Sequence, residues 1–160
     1  MRITYLSIFL FIILITSCSP VEENKERYEQ TVETSINDSK MEEELIILIN
    51  NYRTSNGLHK LQLSNSAYKY ANQHTSYMID LGEINHDNFS QRAADLSTET
   101  NAILVAENVA KDYEGAVETF NAWIKSDGHK LNIISDYTHT GVSVKKNNNG
   151  DYYYTQMFYK

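Results

Sequence analysis

Apolar residues fall along this chain in four regimes, and each regime predicts a different kind of structure. After Arg2, the stretch from Ile3 to Ile15 is rich in Leu, Ile and Phe and carries no charge. It is too short to span a bilayer comfortably as a helix and has the form of an export leader. From Ser19 to Lys40 the apolar positions nearly vanish among Glu22, Glu23, Glu26, Glu29, Glu33 and Asp38. So little apolar surface cannot offset ordering entropy, so residues 18–40 are expected to be a disordered acidic tether.

The third regime has helical period. Met41, Leu45, Leu48, Ile49 and Tyr52 recur at three- and four-residue spacing and predict an amphipathic helix stopped by Asn56-Gly57. Ser64 suits the N-cap of a second helix, whose inner stripe carries Ala67, Tyr70, Ala71, His74, Tyr77, Met78 and Leu81 and which ends at Gly82. Ser90 is expected to cap a third helix through Arg92, Ala93 and Leu96. Ala106-Glu107-Asn108 falls in a loop on this reading, and Ala116 to Ile124 form a fourth helix with Gly128 as its stop. In the last regime the period is two. Thr140–Lys146 and Tyr152–Tyr159, joined by Asn147 to Gly150, predict an antiparallel hairpin. Both alternating sets of the second strand are bulky, so both of its faces are expected to be covered. Residues 41–160 are then one α+β domain, a three-layer α-β-α sandwich ending in an antiparallel β-hairpin.

Composition narrows the function. The formal net charge of −7, with no interleaved basic and aromatic cluster, argues against nucleic acid as a partner. No glycine-rich phosphate loop or Gly-x-Ser-x-Gly elbow is present. Cys18 is the sole cysteine, which rules out an intramolecular disulfide. Ile15-Thr16-Ser17-Cys18 resembles the lipobox of bacterial lipoproteins. That resemblance implies a signal peptide over residues 1–17 and palmitate-type lipidation of Cys18. The anchor would hold the protein at a membrane of the cell envelope, the outer membrane or cell surface in a Gram-negative cell.

Two strings carry the candidate chemistry, Ala106-Glu107-Asn108-Val109-Ala110 and Trp123 through Gly128-His129-Lys130-Leu131-Asn132-Ile133. Each places an ionisable side chain beside an amide in an apolar setting, the raw material of a binding or catalytic site. Ordered with Asn50 and Arg53, with His86-Asp87-Asn88-Phe89 and Arg92, and with Gly141-Val142 and Tyr154 to Phe158, they resemble the CAP superfamily. This superfamily comprises the cysteine-rich secretory, antigen five and pathogenesis-related proteins, and the match is to its cysteine-poor bacterial, SCP-like branch. The resemblance implies an α-β-α sandwich with a cavity where His86, Glu107 and His129 meet. The family's second cavity glutamate has no counterpart between Trp123 and His129, where Ser126 and Asp127 stand instead.

If the three residues converge, two neutral imidazoles and a carboxylate suit a divalent metal such as zinc, with His86 and His129 as ligands. No helical i, i+4 spacing joins them, so their spacing alone does not specify a metal site. Without metal, Glu107 would fix a histidine tautomer in a polar pocket. Two functions remain open on the sequence. One is a non-enzymatic binding module for lipid, glycan or protein ligands. The other is a metal-assisted hydrolase of envelope peptide or glycan bonds, with Glu107 as base beside His129, or with Ser126 as nucleophile. His59 and His139 fall outside the site, His59 in a surface loop and His139 bonded to the turn after Asn132. Trp123 is expected in the core.

Overall fold

A computed structural model describes residues 35–160 of this chain. The leader, Cys18 and the acidic stretch up to residue 34 lie outside the described residues. No helix among the described residues is long and apolar enough to cross a membrane. In chain order the elements are β1 (Ile36–Asn37), α1 (Ser39–Ser55), β2 (Gln62–Leu63), α2 (Asn65–Leu81) and α3 (Phe89–Thr100). They continue with β3 (Val105–Lys111), α4 (Ala116–Lys125), α5 (Asp127–Ile134), β4 (His139–Lys146) and β5 (Tyr152–Tyr159).

The hairpin is as expected. β4 and β5 pair antiparallel from His139↔Tyr159 to Lys146↔Tyr152, and the Asn147 side chain closes the turn by accepting from the Asn149 and Asp151 amides. β3 lies along the other side of β5 in antiparallel register, with Glu107 opposite Met157. The sheet order is β1-β4-β5-β3, with β2 joining β4 in parallel. Alternation along β5 sorts the two cores. Tyr154 and Phe158 pack with Leu45, Ile49, Trp123 and Ile133 of α1, α4 and α5, whereas Tyr153 and Met157 meet α2 and α3 through Met78, Ala71 and Leu96. The result is the three-layer α-β-α sandwich.

Four local expectations change. The folded domain begins before Met41, because Ile36–Asn37 pair with Lys145 and Lys146 and the Asp38 carboxylate caps α1 by accepting from the Met41 amide. Helix α3 starts at Phe89 rather than behind a Ser90 cap; Asn88, in the left-handed region at φ 56°, makes the turn. Glu107 lies in strand β3 and not in a loop. Gly128 does not stop α4, which ends at Lys125 with Ser126 as its C-cap; it belongs to a separate helix, α5, that carries His129.

Polar side chains fix where the helices sit. Arg53 of α1 is 2% exposed. It donates from Nε to the His59 carbonyl, from Nη1 to those of Ile133 and Ser135, and from Nη2 to that of Tyr137. One guanidinium thus pins the end of α5 and the loop after it to α1. Asn50 mimics a strand residue, donating to the Leu61 carbonyl and accepting from the Leu61 amide at 2.7 Å.

Candidate functional site

Strand β3 sorts its polar residues by the period of two. Glu107 turns toward α2 and α3, and Asn108 toward α5, so the neighbours serve different layers. Asn108 donates to the His129 carbonyl and accepts from the Asn132 side-chain amide at 2.9 Å. Asn132 Nδ2 also donates to the Glu107 carbonyl, and Trp123 Nε1 to that of Val109. These bonds cover the free edge of β3 with side chains from α4 and α5.

The Glu107 carboxylate is 1% exposed, a burial tolerated only because it is paired. Arg92 of α3 grips both oxygens, Nε to Oε2 at 2.9 Å and Nη2 to Oε1 and Oε2 at 2.9 and 2.7 Å. Its remaining nitrogen, Nη1, donates to the Asp87 carbonyl at 2.6 Å, which ties the loop before α3 to the same guanidinium. His86 Nδ1 stands 2.8 Å from Oε1. Beside the Arg92-paired carboxylate Nδ1 carries a proton, so in the neutral imidazole Nε2 is the acceptor. The His86 ring is 53% exposed, so it is this nitrogen that faces solvent.

A further histidine completes the cluster. His74 of α2 lies with Nε2 3.7 Å from Glu107 Oε1 and 2.8 Å from the Asn85 carbonyl, to which it donates, and its ring stacks on Tyr77. Burial, the largest influence, pushes the His74 pKa below the usual histidine range against the pull of Glu107. The ring is therefore neutral near pH 7.

Of the three residues expected to meet, His86 and Glu107 do, in direct hydrogen-bond contact. His129 comes from the opposite layer: it bonds to neither, and its ring lies beside Trp123 at a centroid distance of 6.3 Å. Burial first and the nearby His86 second lower its pKa. The residues present do not fit the metal. Both Glu107 oxygens are gripped by an arginine, so this carboxylate is no direct ligand, and although His86 keeps Nε2 outward, no group of three or more His, Cys, Asp or Glu among the described residues is arranged to hold an ion. Ser126 sits at the α4–α5 junction beside Glu118 and Lys125, in a surface hollow that His86 does not line. His139 bonds to Thr138 and stacks on Tyr159 instead of reaching the turn after Asn132, and Trp123 is 1% exposed in the core as expected.

Arg92 and His74 are the members that the sequence pattern does not place in the site. His74 stands on an apolar helical stripe that gives no reason to look past core packing. Arg92 lies fifteen residues from its partner with no spacing rule to join them. Around the exposed ring of His86 the surface opens into a cleft of about 310 Å³ lined by Phe89, Val105, Glu107, Asn132 and Tyr137.

Comparison with known proteins places this arrangement. Residues 46–158 match the family model described as CAP, cysteine-rich secretory protein family. Among curated relatives, the membrane protein YlbC of Bacillus subtilis is 30% identical over 125 residues, which are 74% of this chain and 34% of that protein. YkwD of the same organism is 26% identical over 134 residues, 79% of this chain and 51% of that protein. The chain thus spans between a third and about half the length of these relatives. Solved structures share the fold. An outer surface protein from Borrelia burgdorferi superposes with a TM-score of 0.72 at 21% identity, covering 80% of this chain and 98% of that one. An extracellular SCP-domain protein from Bacillus anthracis gives 0.68 at 23% identity, covering 76% and 41%. Matched over most of its length by the family model and arranged in the same layers as these structures, the chain belongs to the CAP family of cysteine-rich secretory proteins.

Proposed function

We propose that this protein is an envelope- or surface-anchored CAP-domain lipoprotein that binds a ligand without converting it, through the cleft around His86. The observation that carries the reading is the state of Glu107. A general base or a metal ligand needs a lone pair free to approach the reacting atom, and here Arg92 and His86 take both oxygens of a side chain that is 1% exposed. Glu107 then serves to hold the His86 imidazole with its acceptor nitrogen outward. The cleft adds the rings of Phe89 and Tyr137 and the carboxamide of Asn132, whose oxygen accepts no bond among the described residues.

Ring faces beside a few fixed polar atoms suit a glycan, whose sugar faces pack on aromatics while its hydroxyls reach imidazole and amide. Lipid headgroups and proteins are the other ligand classes that the sequence leaves open. Titration with N-acetylglucosamine oligomers tests the reading. Saturable binding is expected, with the oligomer recovered intact and with affinity falling about tenfold in His86→Ala, the loss of one well-placed hydrogen bond. Absent binding, or binding that His86→Ala leaves untouched, would sink it.

Hydrolysis stands as a second reading because of the 2.8 Å His86–Glu107 contact. A carboxylate that fixes an imidazole with Nε2 outward is the arrangement of a general-base histidine, here acting on water. Cleaved oligomer that disappears in His86→Ala would establish this reading over the first. For location, the supporting facts are the apolar leader ending at Cys18 and relatives whose names describe a membrane protein, an outer surface protein and an extracellular protein. The proposed anchor is lipid on Cys18.

A further inference from the structure

A second, larger hollow of about 490 Å³ lies between α1 and α2, away from the His86 cleft, and its chemistry is independent of the ligand proposed for that cleft. It exists because the outer edge of β4 is only partly covered. β2 pairs with His139 and Thr140, β1 pairs with Lys145 and Lys146, and neither strand reaches the residues between. Alternate β4 residues turn their main chain outward here: the Thr140 carbonyl accepts from the Ser64 amide and the Val144 carbonyl from the Asp38 amide, both at 2.9 Å. Val142, midway between them, turns its N–H and C=O the same way into the gap, and it lines the hollow.

The walls are apolar. Ile46 and Ile47 of α1, Leu63 of β2 and Tyr68 of α2 surround the opening, with Ile47 50% and Leu63 69% exposed. The charged residues that line it are both acidic, Glu42 and Glu43, and no lysine or arginine joins them. Glu42 is 8% exposed. Its Oε1 accepts from Asn37 Nδ2 at 2.7 Å and from the Val144 amide at 3.0 Å; no donor among the described residues makes a close bond to Oε2, and the Tyr68 phenol stands in weak hydrogen-bonding range of the carboxylate. Burial raises its pKa despite these bonds, and burial first, then the same carboxylate, raise that of the Tyr68 phenol. A largely buried carboxylate with only weak pairing on one oxygen gains from a stronger, charged donor.

An apolar hollow that presents a carboxylate and a main-chain carbonyl, with no cation of its own, is complementary to a positive head on an apolar body. We propose that it binds a small primary amine with an apolar chain, the ammonium held by Glu42 Oε2 and the Val142 carbonyl and the chain lying along Ile46, Ile47 and Leu63. Titration of the protein near neutral pH with octylammonium, octanol and octanoate, followed by calorimetry and by amide chemical shifts, tests the assignment. Octylammonium is expected to bind at least about tenfold more tightly than the other two, the discrimination of one charge-assisted bond. Shifts should centre on Val142 and Ile47. Glu42→Gln, which keeps an acceptor for Val144, should remove that preference. Ile47→Trp fills the hollow from a half-exposed position without touching the β1–β4 bonds, so it should abolish binding even where Glu42→Gln perturbs the fold. Equal affinity for octanoate or octanol, shifts confined elsewhere, or binding that survives Ile47→Trp would overturn the proposal.

Discussion

Glu107, Arg92, His86 and His74 form one electrostatic network, buried except for the His86 ring. His74 and His129 both have pKa values lowered from 6.5 by burial. Between the folded and unfolded values the unfolded chain binds more protons, so stability rises with pH. Their contribution is whole above pH 6.5 and is lost as pH falls below it. Glu42 works in the opposite sense: its raised pKa costs stability as pH climbs past 4.5. A difference between variants isolates one group, so His74→Gln should show a shallower loss of stability than the parent between about pH 6.5 and 5, read from denaturant midpoints at each pH. A parallel pair of curves would show that His74 does not titrate on unfolding. That residue also marks where reading the sequence runs out. A histidine at a core position of an amphipathic helix looks the same whether it meets a carboxylate or only a carbonyl, and the 3.7 Å approach to Glu107 depends on a strand thirty-three residues on.

At the scale of elements, legibility follows the strength of the periodic signal. Helices α1, α2 and α4 and the β4–β5 hairpin carry regular apolar stripes and lie where the sequence puts them. β3 was hidden because its inward positions include Glu107 and Asn108, whose partners supply the polar contacts that a strand interior ordinarily lacks. α5 was hidden because Gly128 imitates a stop while Ser126 and Asp127 act as a start. One contact between elements gives a sharp expectation. A Cβ on Gly141 of β4 would lie 2.1 Å from the Tyr68 amide nitrogen and 2.5 Å from the Ala67 carbonyl carbon, both main chain and unable to yield like a side chain. The first turn of α2 rests directly on the strand at that point. Gly141→Ala should cost about 3 kcal/mol or more, as a reduced midpoint in chemical unfolding, since the helix has to lift to admit the methyl group. A loss within about 0.5 kcal/mol would mean that α2 is free to move there.

For the whole molecule, the layers, the hairpin and the family were readable in the chain itself, because an ordered set of short strings specifies a fold better than any one of them. The start of the domain was not, since Ile36-Asn37 gains its place only by pairing with residues more than a hundred positions away. Under the proposed anchoring, Cys18→Ala should move the protein from the membrane fraction to the soluble one on cell fractionation, and unchanged fractionation would refute the anchor. The side-chain cover on β3 acquires a consequence in that setting. Tethered molecules meet in two dimensions at high local density, where a bare strand edge invites pairing from one copy to the next. Asn132 and Trp123 occupy the outward Glu107 and Val109 carbonyls, so the same bonds that seat α5 against the sheet deny a neighbour the template for growing into a shared sheet.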